Sequence, residues 1–217
     1  MNVRHIPFAR CLVFGALALV AAGCINLSSL TQPPIQTAYY ILEYDPPAPA
    51  GTGPSAPAIR VDRFSADPLY ATTAMIYKKQ PFQTDAYVYH RWHTAPADMV
   101  SHLLARDLRQ SGKFAAVFGP AAPAFMAYHI EGHIETFLEN DTTDPWQAEL
   151  VLAMTVTAPF GNGGTNSAAA LQKSYHASGP CVRNHPRAFA EAMSRAMQQI
   201  SEEIIADVCR IVETGEK

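Results

Sequence analysis

Between Tyr128 and Val156 the chain reads twice as an alternation with a period of two. Tyr128, Ile130, Ile134 and Leu138 fall on one side, and His129, Glu131, His133 and Glu135 on the other. After Asn140 to Pro145, a polar turn, Ala148, Leu150, Leu152, Met154 and Val156 alternate again. Successive side chains of a strand point to opposite faces, so each stretch predicts a half-buried strand, and the pair is antiparallel with its apolar faces on one core. Such a sheet needs cover on its apolar face. Two amphipathic helices supply it.

The first helix is expected from Thr94 as N-cap, with Pro96 and Asp98 in the first turn. Met99, Val100, Leu103, Leu104 and Leu108 recur at helical spacing, and Ser111-Gly112 ends the pattern. The second opens at Asn184 and Pro186 and carries Phe189, Met193, Met197, Ile200, Ile204 and Val208 at steps of three or four, which is a core stripe. Further strands are expected at Tyr39 to Tyr44, at Ile59, Val61 and Phe64, at Met75 to Lys79 and at Ala86 to Trp92, the last two forming a hairpin through Gln80 to Asp85. Asp45 to Ala58 holds five prolines and reads as a loop. Gly161 to Ser167 reads as a flexible turn, and Leu171 to Ala177 as the closing strand. The fold class is therefore α/β in the broad sense, more narrowly α+β. It is a single domain with a mixed, mostly antiparallel sheet and two amphipathic helices packed on one face.

The amino terminus is separate from this body. Met1 to Arg10 carries Arg4, His5 and Arg10 with no acid, and Cys11 to Ala22 then runs twelve residues without a polar side chain. A helix of that length rises only about 18 Å, short of the roughly 30 Å hydrocarbon core, so the segment reads as an export signal. Leu19-Val20-Ala21-Ala22-Gly23-Cys24 resembles the bacterial lipobox, in which the cysteine becomes the lipidated first residue of the mature chain. The thiolate of Cys24 is the nucleophile such a modification needs, and several acyl chains at one residue anchor a protein firmly. Ile25 stands where inner-membrane retention usually shows Asp, so the resemblance to sorted bacterial lipoproteins implies the outer membrane, with the body on its periplasmic side. The organisation expected is a signal peptide at 1–23, a lipidated N-terminus and tether at 24–37, and the body at 38–217.

Charge excludes one class of partner. The chain carries a net charge of -3, and removal of residues 1–23 takes away Arg4 and Arg10 and no acid, which gives -5. No basic field remains to collect nucleic acid. Nor is an acidic body drawn flat onto an anionic leaflet.

Catalytic patterns are absent from the mature sequence. It contains no Gly-x-Ser-x-Gly elbow, Ser-x-x-Lys pair, phosphate-cradling glycine loop or Cys-x-x-Cys. His129 and His133 have zincin spacing, but Ile130 stands where the general base belongs and the surrounding alternation predicts a strand. On a strand they share a face with Glu131 and Glu135, which is either a solvated polar face or a divalent-ion site. His90 and His93 flank Arg91, which opposes a cation. Neither metal nor cofactor is expected. If Pro186 to Cys209 is helical it spans about 35 Å, whereas the five residues from Cys181 to Pro186 reach back at most about 18 Å, so Cys181 and Cys209 are expected to stay unbridged.

His90-Arg91-Trp92-His93-Thr94-Ala95-Pro96-Ala97-Asp98-Met99, followed by Leu103, Leu104, Asp107-Leu108, Ser111-Gly112-Lys113-Phe114 and Val117, resembles the signature of the ABC-type transport auxiliary lipoproteins, the PqiC-like group. Tyr39-Tyr40-Ile41-Leu42, Ile59-Arg60-Val61 and Met75-Ile76-Tyr77-Lys78 extend the similarity in the same order. The resemblance implies a non-catalytic outer-membrane lipoprotein that works with an MCE-domain protein and its ABC permease and ATPase to move phospholipid or another lipid through the envelope. Arg91, Trp92, Tyr77 and Tyr89 are the candidate partner-binding residues, Arg and aromatic side chains being enriched at interface hot spots. The structural alternative has Trp92 filling the core and Arg91 paired with Asp98 or Asp107. Two other functions stand beside docking: a lipid carrier, which requires an apolar cavity of several hundred Å³, and an assembly lipoprotein for an outer-membrane β-barrel. An enzyme built on the face of His129, Glu131 and His133 comes last.

Overall fold

A computed structural model of the chain describes residues 36–49, 56–120, 128–158 and 169–215. Residues 1–23, Cys24 and the tether as far as residue 35 lie outside the described residues, as does the turn expected at Gly161 to Ser167. What is described is one mixed sheet and two helices, an α+β domain. In chain order the elements are β1 (Ala38–Tyr40), β2 (Ile59–Val61), β3 (Ser65–Ala66), β4 (Ala74–Gln80), β5 (Gln83–Trp92), α1 (Pro96–Gln110), β6 (Val117–Phe118), β7 (Tyr128–Asn140), β8 (Gln147–Thr157), β9 (Ala169–Pro180) and α2 (Pro186–Gly215).

β7 organises the sheet. Along one edge it pairs antiparallel with β8, which pairs antiparallel with β9, so these three form a meander. Along its other edge three short segments follow one another in parallel: β2 beside Tyr128 to Ile130, β3 beside His133 and Ile134, and the end of β4 beside Glu139 and Asn140. β5 returns antiparallel to β4, and β1 lies parallel to the end of β5. The long ladders are thus antiparallel and the short ones parallel. Two- and three-residue strands carry too few side chains for periodicity to reveal how they pair.

Both helices cover the face bearing Ala148, Leu150, Leu152, Met154 and Val156, all of them buried, as is every residue of the expected α2 stripe. Trp92 stacks edge-on against Phe137 of β7 and Phe189 of α2, with ring centroids 5.2 and 5.4 Å away. Cys181 and Cys209 are buried free thiols.

Four local expectations are corrected. The strand expected at Tyr39 to Tyr44 ends at Tyr40. Leu42 then turns into the core, the Glu43 amide donates to Ser194 Oγ at 3.0 Å, and the Tyr44 hydroxyl donates to Asp107 at 2.6 Å, so the chain leaves the sheet to bind the helices. The N-cap of α1 is Ala95 rather than Thr94. Proline bars the residue before it from helical geometry, and Pro96 at the first helical position therefore holds Ala95 extended, at φ -60° and ψ 143°. The β4–β5 connection is only Pro81 and Phe82, with Gln80 paired to Gln83. Lastly, the register of β7 shifts between Ile134 and Thr136, so that Ile134 faces Leu152 and Phe137 faces Leu150 on the same side. The bulge puts Phe137, not Leu138, on the helix-covered face, although Leu138 is also buried.

Candidate docking surface

The end of β5 builds a corner with two different sides. Tyr39 and Arg91 are register partners, as are Tyr40 and Trp92. Because strand side chains alternate, Trp92 and Tyr40 point one way while Tyr39 and Arg91 point the other; Tyr89 lies just before them, where β5 bulges against β4 between Ala86 and Arg91. Trp92 is wholly buried in the aromatic cluster with Phe137 and Phe189. Tyr39 is 62% exposed, Tyr89 46% exposed, and Arg91 is exposed. Ile41, next to the β1 pairs, is exposed too. Tyr40 donates to or accepts from His90 Nδ1 at 3.0 Å, and Tyr39 meets His93 edge to face with centroids 6.3 Å apart. These contacts hold the corner's rings in place and leave their outer faces open.

Of the four residues expected at a partner site, Arg91 and Tyr89 are both exposed near the end of β5, and Trp92 is buried in the floor beneath the corner. Tyr77 lies elsewhere, half-buried on β4 opposite Asp85 and stacked on Tyr87 with centroids 5.1 Å apart. The Arg91 guanidinium makes no ion pair among the described residues. Asp98 is held instead by Arg63 in a two-point contact at 2.6 and 2.9 Å, and Asp107 accepts from Arg106, Tyr44 and Ser201. Tyr39 and Ile41, quoted in the family resemblance, were not among the expected partner-binding residues. The alternation of Tyr39 against Tyr40 held a signal, but choosing the outward ring required knowing where Trp92 points.

Beneath the sheet lies a second feature, a polar groove of about 600 Å³ lined by Glu131, His133, Glu135, Lys173 and Ser174 among others. Both ring nitrogens of His133 are engaged, Nε2 with Asp67 at 2.9 Å and Nδ1 with Ser65 at 2.8 Å, while His129 Nδ1 stands 3.5 Å from Asp62. No group of three or more metal-binding side chains converges among the described residues.

At the opposite end of β5 from the corner, buried polar groups gather around Glu139. The Tyr87 hydroxyl donates to it at 2.6 Å and the Cys181 thiol lies 3.5 Å away. Burial raises the Glu139 carboxyl above the usual carboxylate range even though both partners favour its charged form. Burial and the neighbouring Glu139 push the Cys181 thiol up to about 12, far from a reactive thiolate. Burial and then Glu139 hold Asp141 at about 6.

Comparison with solved structures identifies the fold. A crystal structure of protein XCC0632 from Xanthomonas campestris superposes with a TM-score of 0.71 at 16% identity, covering 82% of this chain and 99% of that one. An uncharacterized protein superposes at 0.62 with 10% identity, covering 80% and 99%. No curated protein matches the chain. The family model for the ABC-type transport auxiliary lipoprotein component matches residues 40–205, from the corner at Tyr40 through most of α2. By that match the chain belongs to the ABC-type transport auxiliary lipoprotein component family.

Proposed function

We propose that the protein is a non-catalytic docking lipoprotein of an MCE-type ABC system that moves phospholipid or another lipid across the envelope. Residues 1–23 are its signal peptide. Cys24 carries the lipid that fixes it to the periplasmic face of the outer membrane, residues 24–37 are the tether, and residues 38–217 are the adaptor body. The observation that carries this reading is the corner of Tyr39, Tyr89 and Arg91, open to solvent above a packed aromatic floor. An Arg flanked by exposed aromatic rings on a rigid support is the composition of an interface hot spot. The carrier alternative needs an apolar cavity of several hundred Å³. Trp92, Phe137 and Phe189 pack together between helices and sheet, and the apolar space that remains is a pocket of about 390 Å³ beside the corner, lined by Ile41, Leu42, Met99 and Leu103 among others, so capture of lipid there is the outcome that would favour the carrier.

In-cell photocrosslinking from positions 39, 89 and 91 tests the assignment. Capture of the MCE-domain subunit is expected. Capture of an outer-membrane β-barrel alone would favour the assembly alternative, and capture of lipid alone the carrier. A Cys24→Ser variant is expected to leave the membrane fraction, and its retention there would end the anchoring part of the reading.

A further inference from the structure

Phe82 stands at the turn between β4 and β5, fully exposed, with φ at 67°. A left-handed position in a two-residue turn suits Gly or Asn, and a bulky aromatic residue there is strained. The neck of the turn is closed by Gln80 Nε2 donating to Gln83 Oε1 at 2.5 Å, so the ring is held outward on a defined support. A choice that costs local stability and buries nothing marks a functional apex.

The same end of the sheet carries other features. β7 and β4 both run toward it, so the β7–β8 turn and the end of β9 lie there too. It therefore presents Val182, 65% exposed, Lys79, exposed without an ion pair among the described residues, and Arg183, whose guanidinium lies 5.6 Å from the ring centre of Trp146 and binds Asp144 at 3.1 Å. Apolar tips with Lys, Arg and Trp at their base are the residue set of a membrane interface.

Chain direction supplies the independent argument. β1 is parallel to β5, which begins at the hairpin turn, so the chain enters the sheet at Ala38 from the side on which Phe82 stands. β4 measures the distance from the corner to the turn, because Ala74 pairs with Arg91 and Gln80 with Gln83, a separation of six residues or about 20 Å. The fourteen residues 24–37 extend at most about 50 Å, enough to bring this end to a bilayer holding Cys24.

We propose that the hairpin-turn end, with Phe82 at its apex, inserts into the head-group layer of the bilayer that holds the lipid anchor. This rests on the anchored reading above. The net charge of the body discourages broad contact with an anionic leaflet, so contact is confined to this apex.

The test uses the mature lipoprotein reconstituted into phosphatidylethanolamine and phosphatidylglycerol vesicles, with Phe82→Trp as the probe and Val88→Trp as an exposed mid-strand control. Flotation reads the anchor, and quenching by brominated acyl chains reads the tip. Flotation together with a blue shift and quenching at position 82, but not at 88, is the expected result. Flotation with an unquenched Trp at 82, or crosslinking of position 82 to protein in place of lipid, overturns the insertion and leaves the anchor standing. Failure to float overturns the anchored reading and the insertion with it. A Phe82→Gly variant separates insertion from folding: it should melt at a higher temperature than the unsubstituted protein while losing the added resistance to high-pH extraction that the tip confers.

Discussion

A Cβ placed on Gly132 would lie 2.5 Å from two ring carbons of Phe64. The glycine in mid-strand is the seat for an aromatic ring that caps β7 where the chain crosses from β2 to β3. Gly132→Ala should therefore cost about 1–3 kcal/mol, the usual range for overpacking, in urea denaturation. Phe64→Leu in the same chain should recover part of that loss. A second residue-scale prediction concerns Asp141. Its carboxyl sits at about 6 when folded, against about 3.9 for a free Asp, with burial the main cause and Glu139 the second. One of its oxygens is buried without a partner. The folded state then holds the proton more tightly than the unfolded one between about pH 4 and 6, so stability falls as pH rises through that window and stays lower above it. Asp141→Asn should raise the melting temperature at pH 7.5 and leave it unchanged near pH 4, and equal effects at both values would contradict the assignment. None of these sites was legible from the sequence. A small residue in a strand, an acid after a strand and an aromatic at a turn acquire meaning only from the neighbours that the fold supplies.

At the scale of elements, Asp107 joins three of them. It is buried on α1, accepts from Ser201 of α2 and from Tyr44 of the segment after β1 at 2.6 Å each, and is paired with Arg106. Asp107→Ala strands the buried Ser201 hydroxyl, the half-buried Tyr44 hydroxyl and the Arg106 guanidinium at once, and breaking a largely buried network of this kind costs about 3–5 kcal/mol. Ser201→Ala removes one hydrogen bond and should cost about 1 kcal/mol. If both losses are below 0.5 kcal/mol by calorimetry, at the level of about a typical surface substitution, the junction does not hold the helices. The elements themselves were the most readable layer. The α2 stripe and the alternation of β8 are long enough for their periods to be unambiguous, and the strand and the helix they predict agree with the structure. The parallel pairing of β2, β3 and β4 along a single edge of β7 could not be read, because it depends on contacts between segments more than sixty residues apart. The bulge in β7 was hidden too, since Phe137 and Leu138 are both apolar and fit either parity.

At the scale of the whole molecule, the two surfaces proposed above, the corner of Tyr39, Tyr89 and Arg91 and the apex at Phe82, lie about 20 Å apart along β4. Side chains this far apart with no shared partners act independently in energetic terms. If one end meets a protein partner and the other a bilayer, their effects must separate. Arg91→Glu combined with Tyr39→Ala should abolish crosslinking to the transport system while leaving the melting temperature within a degree or two, because both side chains are exposed and neither belongs to the buried core. Phe82→Ser should leave partner capture intact and reduce the membrane contact of the body. The combined variant should show the sum of the two losses and no more. Measured in one background by crosslinking yield and by lipid quenching, a loss at either end that also suppresses the other readout would mean that the two surfaces form a single interface. The rigid β4–β5 hairpin would then have to be read as part of one partner's footprint instead of as a spacer between two.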